Sequence, residues 1–172
     1  MLKKLLATLG GVVVLLLVIP VLLSSKMHVI RSIEIQSPAA TVHTYLANLN
    51  DYPKWNPFSE NDPTATNQIN GTGVGSFLAW KGNQTGEGKM TITQIQPNER
   101  IQLKLEFHTP MAGEALIEWT TEPVDANRTR MIWTMDQDLP YFQRYFGLFM
   151  NGMIGKTFDK GLNSLKKQLE RF

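Results

Sequence analysis

Among the histidines and carboxylates of this 172-residue chain, the candidates for proton transfer are His108, Glu118 and Asp136. His108 ends the alternating segment "RIQLKLEFH", in which Ile101, Leu103, Leu105 and Phe107 would line one face of a strand. That alternation places His108 on the polar face. A catalytic histidine needs a partner that fixes its tautomer and a substrate within reach. The pattern therefore favours an exposed histidine at a strand end over a catalytic one.

The two acids lie on the last two predicted strands, and their role depends on which strand face points inward. Facing the interior, Glu118 and Asp136 could meet and have raised pKa values, which suits proton transfer. Facing outward, they would belong to a solvated sheet surface. The pattern favours the outward position for Glu118 and leaves Asp136 open. Arg144 could pair with Asp136 or Asp138, or bind a ligand carboxylate or phosphate, although a surface ion pair is the simpler expectation.

Several other classes of site are disfavoured by the sequence. No H-x-x-x-H spacing or acid–histidine pair indicates a metal site, and no motif indicates a cofactor. The glycine run "GTGVG" precedes a strand rather than a helix, so it predicts a turn or bulge and not a phosphate loop. Outside the first 26 residues, 14 Lys and Arg stand against 15 Asp and Glu. This balance gives no electrostatic basis for binding nucleic acid.

The N-terminal segment predicts a membrane anchor. Residues 5–23 are uncharged and mostly Leu and Val, and as a helix they would span roughly 28 Å, close to the thickness of a bilayer core. A cleaved signal peptide is the alternative, but the apolar run is long and lacks an A-x-A-like site. The amino terminus, Lys3 and Lys4 precede the run, and Lys26 and Arg31 follow it. This balance favours, by a narrow margin, a domain on the non-cytoplasmic side. We therefore divide the chain into an anchor with basic flanks (1–26) and a domain (27–172).

The domain has the order of elements expected of an α+β fold. A strand over residues 27–35 is followed by a short helix that must end before Pro53. Five alternating segments then run from Gly73 to about Leu139 with tight connections, which is typical of an antiparallel meander. From residue 154 onward, apolar residues recur every three or four positions and predict a long amphipathic helix. A curved antiparallel sheet wrapped around that helix would bury both apolar faces.

Four local motifs resemble those of one superfamily. They are "YPKWNPF" (52–58), "GTGVGSFLAWKGN" (71–83), "RTRMIWTMD" (128–136) and "GLNSLKKQLE" (161–170). They resemble the START-like, polyketide-cyclase-like (SRPBCC) superfamily, the first being similar to a W-x-P-[FW] element common in its bacterial members. The resemblance covers roughly residues 28–172 and implies the helix-grip fold. It constrains function less, because this fold has many functions.

The resemblance also implies a cavity between the sheet and the C-terminal helix that holds a hydrophobic or amphipathic small molecule. A surplus of Met and aromatic residues agrees with an adaptable apolar cavity, although it fits an aromatic-rich core equally well. Trp55 could plug the core or form a cavity wall, and we favour the plug. The candidate cavity residues are Trp55, Phe58, Trp80, Trp119, Trp133, Met135, Arg144 and Phe158.

Three functions remain open at this point. The first is a membrane-tethered domain that binds or carries a lipid-like or polycyclic molecule, and the sequence favours it because no catalytic constellation is evident. The second is a cyclase- or dehydratase-type enzyme, in which one acid or histidine moves a proton within a cavity that positions the substrate. The third is a protein-interaction module of the cell envelope.

Overall fold

A computed structural model describes residues 1–60 and 62–170, except for the side chains of Leu2, Lys3, Leu5, Ala7 and Glu60. The helices are α1 (Leu2–Leu22), α2 (Ala39–Leu46) and α3 (Arg144–Leu169). Short 3-10 helices cover Leu49–Lys54, Pro57–Glu60 and Tyr141–Gln143. The strands are β1 (Lys26–Ile35), β2 (Thr66–Asn70), β3 (Phe77–Gly82), β4 (Gly86–Gln96), β5 (Arg100–Thr109), β6 (Gly113–Asp125) and β7 (Arg128–Asp138).

The strands form a seven-stranded antiparallel sheet in the order β1-β7-β6-β5-β4-β3-β2. Strands β2 to β7 follow one another as a meander, and β1 pairs with β7 at one edge. The register of the β4–β5 pair shifts between Ile92 and Gln94. Such an extra residue bends a strand and increases its twist, which helps the sheet to curve. The α+β helix-grip fold predicted from the sequence is confirmed.

Period-two alternation decides which side chains enter the core. On β6 and β7 the inward positions are buried and mostly apolar, with Thr121 and Thr129 as the polar exceptions, while Glu118, Thr134 and Asp136 occupy the opposite face. The polar residues of β5 lie on the outer face for the same reason. The buried inward residues of β6 and β7 include Ala115, Ile117, Trp119, Met131, Trp133 and Met135.

Two glycines bring α3 close to the rest of the domain. A Cβ atom on Gly161 would lie 2.9 Å from the Pro57 ring and 3.0 Å from the Trp133 indole. A Cβ atom on Gly155 would overlap the guanidinium of Arg31, which projects from β1 and bonds Asp159 at 3.3 Å. At Gly161, where the neighbouring groups are rings, the absence of a side chain therefore sets how closely the helix approaches the sheet; at Gly155 it leaves room for the end of the Arg31 side chain.

The sequence pattern does not predict the edge strand β2. Its residues "TNQIN" contain one apolar side chain, Ile69, so they carry no alternation that could indicate a strand. The five strands predicted after the first helix correspond to β3 through β7. A short edge strand is recognisable mainly by its pairing partner, which here is β3.

Asp62 attaches the segment that precedes β2 to the turn between β3 and β4. Its carboxylate accepts hydrogen bonds from the backbone N–H groups of Gln84, at 2.7 Å, and Thr85, at 3.2 Å. The Gln84 N–H first, and then the Thr64 hydroxyl, lower the pKa of Asp62 to about 2. The carboxylate is thus ionised at neutral pH and holds this turn in place.

The N-terminal segment forms the helix α1, and Pro20 lies inside it. Within the part of the chain that the structure describes, no helix combines the length and hydropathy needed to cross a membrane. Leu5 and Ala7 of the expected anchor lie outside the described side chains. The membrane-spanning role of residues 5–23 is therefore not confirmed and stays a prediction.

Candidate functional site

A cluster of aromatic side chains fills the space between the sheet and α3. Trp133 stacks on Phe158 of α3, with ring centroids 4.0 Å apart and planes inclined by 14°. Trp55 packs against Trp119 and Trp133, at centroid distances of 5.2 and 5.5 Å. Tyr52 stacks on Trp119 at 5.7 Å and also contacts Trp55 edge-on at 4.8 Å. We call these five residues, Tyr52, Trp55, Trp119, Trp133 and Phe158, the aromatic cluster.

The loop that follows α2 positions two members of the aromatic cluster. Asn48 accepts the backbone N–H of Asn50 and so caps the first 3-10 helix, which Pro53 does not interrupt. The backbone N–H of Trp55 then donates to the Tyr52 carbonyl at 3.0 Å. In this conformation both rings point into the core, and Trp55 is only 2% exposed. The proline-flanked stretch is thus an ordered connection that inserts a tryptophan into the core.

Two polar groups in the aromatic cluster lack partners. The indole N–H groups of Trp119 and Trp133 are buried, and neither has an acceptor among the described residues. The two residues face each other across β6 and β7, with their rings perpendicular and 6.1 Å apart. Trp80 differs, since its indole donates to the Thr85 carbonyl at 3.3 Å. Buried donors without acceptors are rare in proteins and call for an explanation such as a bound molecule or water.

Two buried polar side chains were not among the predicted site residues. Burial raises the pKa of the Tyr52 phenol, so its hydroxyl stays protonated at neutral pH. The His43 ring bonds the Gln96 carbonyl at 3.0 Å, which explains a buried histidine without any catalytic role. The inward direction of Tyr52 could have been inferred from its place beside Trp55 in the "YPKWNPF" motif.

The remaining candidate cavity residues occupy different environments. Met135 is buried on the inward face of β7, and Trp80 packs edge-on against Phe107 at 6.1 Å. Phe58 is 37% exposed at the edge of the 3-10 segment.

Arg144 pairs with neither Asp136 nor Asp138, contrary to one of the expectations. Its guanidinium donates to the Pro20 carbonyl at 3.0 Å and lies 5.6 Å from the Tyr141 ring.

The three candidate catalytic residues do not come together. His108 is exposed at the end of β5. Glu118 lies on the outer face, where it accepts a hydrogen bond from Gln102 at 3.0 Å and pairs with Arg100 at 3.4 Å. Asp136, whose face the sequence left open, also lies outside and pairs with His28 at 2.7 Å. The outer face of the sheet therefore holds all three, away from the aromatic cluster.

Two grooves mark the surface of the described residues. One, of about 580 Å³, runs along the exposed side of α3 between Leu148 and Lys160. The other, of about 620 Å³, lies at the end of the sheet where β1 and β6 begin and β7 ends. Across the described residues, no group of three His, Cys, Asp or Glu is arranged to hold a metal ion. Neither groove includes a member of the aromatic cluster.

Comparison with known proteins identifies relatives of this arrangement. Residues 26–170 match the family described as polyketide cyclase / dehydrase and lipid transport. No curated protein sequence matches the chain. Among solved structures, the Zhui aromatase/cyclase from Streptomyces sp. R1128 is similar, with 19% identity, a TM-score of 0.60 and coverage of 85% of this chain and 94% of that one.

Two further structures share the fold. Norcoclaurine synthase from Thalictrum flavum, solved in complex with dopamine and hydroxybenzaldehyde, has 14% identity and a TM-score of 0.63, covering 86% of this chain and 88% of that one. The Aha1 dimer from Colwellia psychrerythraea has 22% identity and a TM-score of 0.59, covering 84% and 96%. At these identities the likeness establishes the fold alone, which serves proteins of quite different kinds.

Proposed function

Because the chain belongs to the polyketide cyclase / dehydrase and lipid transport family, we propose that it binds a hydrophobic small molecule between the sheet and α3 and carries or presents it at a membrane. The ligand class is a lipid-like or polycyclic molecule with at least one hydrogen-bond acceptor. The proposed site is the aromatic cluster. Because its rings fill this space in the structure, binding requires them to move apart and admit the ligand next to Trp119 and Trp133.

The observation that carries this proposal is the pair of indole N–H donors without acceptors in the aromatic cluster. Leaving a buried hydrogen-bond donor unpaired costs about 1–3 kcal/mol. A bound molecule that accepts a hydrogen bond from these indoles would remove this cost. Ligand pockets are mostly apolar and contain a few placed polar groups. The carbonyl, hydroxyl or carboxylate of a bound molecule would satisfy one or both indoles while its apolar part contacts the rings.

A cyclase- or dehydratase-type activity has less support. Glu118 and Asp136 point away from the aromatic cluster, and each has its own polar partner on the outer face. His108 is exposed at a strand end. An enzymatic role would have to use other groups, and the protonated hydroxyl of Tyr52 is the one that lies within the aromatic cluster.

Attachment to a membrane through residues 5–23 is the second part of the proposal. The side chains of α1 from Leu9 to Leu22 are exposed, apart from Pro20, and apolar residues occur on all sides of the helix. A helix that is apolar all round is suited to lipid rather than to water. Lys3 and Lys4 favour a cytoplasmic N-terminus, which would place the domain on the non-cytoplasmic side.

A Trp133→Phe variant tests the binding site. Phenylalanine keeps an aromatic ring but removes the unpaired donor, so the affinity for cis-parinaric acid is expected to fall about tenfold, the equivalent of one hydrogen bond to its carboxylate. The measurement is a fluorescence titration of delipidated full-length chain in mild detergent.

Trp80→Phe is the matched control, because the Trp80 indole already donates to the Thr85 carbonyl. Its affinity for the same probe should equal that of the wild type. Equal affinities for all three chains would show that the indole of Trp133 does not contact the ligand. Absence of saturable uptake by the wild type, with this probe and with phospholipid, would refute the binding function itself.

A further inference from the structure

A second helical stripe runs along α3 and the turn before it, on the side away from the sheet. Its residues are Phe142, Phe146, Phe149, Met153, Lys156 and Lys160, spaced by four and three positions. The four apolar side chains are 58–77% exposed, and Leu148 beside them is 62% exposed. We call this row the outer stripe of α3. Exposed apolar patches of this kind mark interaction sites in soluble domains.

We propose that the outer stripe of α3 enters the interface of an anionic lipid bilayer. The folded domain then contacts the membrane directly and is not attached to it through α1 alone. This inference rests on the proposed attachment through residues 5–23. It adds a second contact with the bilayer, made by the folded domain, to the first one made by α1.

The turn before α3 and the start of α3, where the outer stripe begins, contact α1. The hydroxyls of Tyr141 and Tyr145 donate to the Leu17 and Leu16 carbonyls, the second at 2.6 Å. Because α1 ends at Leu22, these carbonyls lie about 8 Å from its C-terminal end, measured along the helix axis. Interfacial helices bury their apolar face by a similar ~5–10 Å. Tyrosines are also enriched at this depth, where an apolar ring and a polar hydroxyl are both satisfied.

The charges near the stripe favour an anionic lipid surface as the occupant. Residues 139–158 contain no Asp or Glu, although the chain as a whole has 15. The apolar part of the stripe ends at Met153. The stripe then continues with Lys156 and Lys160, which line the groove beside Phe149 and Met153. Basic side chains that follow an apolar helical face bind the phosphate groups of anionic lipids.

The chain has no cysteine, so a single label can be placed at will. A Phe149→Cys variant of the full chain, labelled with bimane, is reconstituted in vesicles of phosphatidylcholine and phosphatidylglycerol that contain a nitroxide-labelled lipid. The control is Val124→Cys, which is 40% exposed near the far end of the sheet, about 30 Å from where β1 leaves the anchor. We expect quenching roughly threefold greater at position 149 than at position 124, as interfacial burial requires.

Two further results separate this inference from the proposed anchor. Replacing both Lys156 and Lys160 by glutamate should lower quenching at position 149 while the chain stays in vesicles washed with alkaline carbonate. Equal, weak quenching at positions 149 and 124 in chains that survive the wash would overturn the outer-stripe contact and leave the anchor standing. Release of the wild-type chain by the wash would overturn the anchor, and with it the basis of this inference. A protein partner that shields position 149 from lipid would also contradict it.

Discussion

Replacing Trp55 by alanine is expected to lower the free energy of unfolding by about 3–5 kcal/mol, the range found for large aromatic residues truncated in cores. Trp55 is 2% exposed, and its indole contacts Tyr52, Trp119 and Trp133. Alanine would remove these contacts and leave a cavity that the neighbouring rings can only partly fill, because Trp119 and Trp133 are held by strands of the sheet. The measurement is urea unfolding followed by circular dichroism.

Phe58→Ala is the matched control for this prediction. Phe58 belongs to the same "YPKWNPF" stretch and is also aromatic, but 37% of its surface is exposed. Since less apolar surface is lost, its cost should be well below that of the Trp55 variant. A mild loss of stability at Trp55 combined with loss of ligand binding would contradict the plug and make Trp55 a wall of the cavity.

Gly161→Val is the second change with a large expected effect, a loss of about 2–3 kcal/mol from overpacking. The Cβ of any residue at this position would lie 2.9 Å from the ring of Pro57 and 3.0 Å from the indole of Trp133. Neither group can move easily, because the proline ring is rigid and Trp133 stacks on Phe158. Valine would therefore push α3 away from the aromatic cluster, as thermal and urea unfolding would record.

Gly152→Val separates packing from helix propensity. Gly152 lies in the same helix and is exposed, and a Cβ atom at this position would meet no neighbouring group of the described chain within 4 Å. Since valine is a slightly better helix former than glycine, stability there should stay within about 0.5 kcal/mol of the wild type. Equal effects at positions 152 and 161 would mean that α3 does not pack on Pro57 and Trp133 as described.

Much of the fold could be predicted because the domain follows simple periodicity. The alternation of β5 and the three- and four-residue spacing at Phe158, Leu162 and Leu165 indicate their elements directly. Motif resemblance then supplied the arrangement of sheet and helix. Strand β2 could not be predicted because its only apolar residue is Ile69, and it is defined by its pairing with β3 and not by its own pattern.

The candidate site was harder to predict, because its properties depend on contacts between distant residues. Alternation correctly favoured the outward position of Glu118, but it could not decide the face of Asp136 or identify His28 as its partner. The sequence also could not show that the Trp119 and Trp133 donors are buried without acceptors while that of Trp80 is satisfied. The outer stripe of α3 could not be recognised from spacing alone, because its apolar residues repeat at the same three- and four-residue intervals as a buried face.

The central claim is that the space between the sheet and α3 holds a hydrophobic small molecule, and native mass spectrometry of the full-length chain tests it most directly. The chain would be extracted from its membrane in mild detergent and analysed together with the Trp133→Phe variant. We expect the wild type to carry a bound molecule of lipid-like or polycyclic mass that survives removal of the detergent, and the variant to carry less of it. A wild-type chain that is free of any small molecule, and remains so after incubation with total membrane lipid, would contradict the claim.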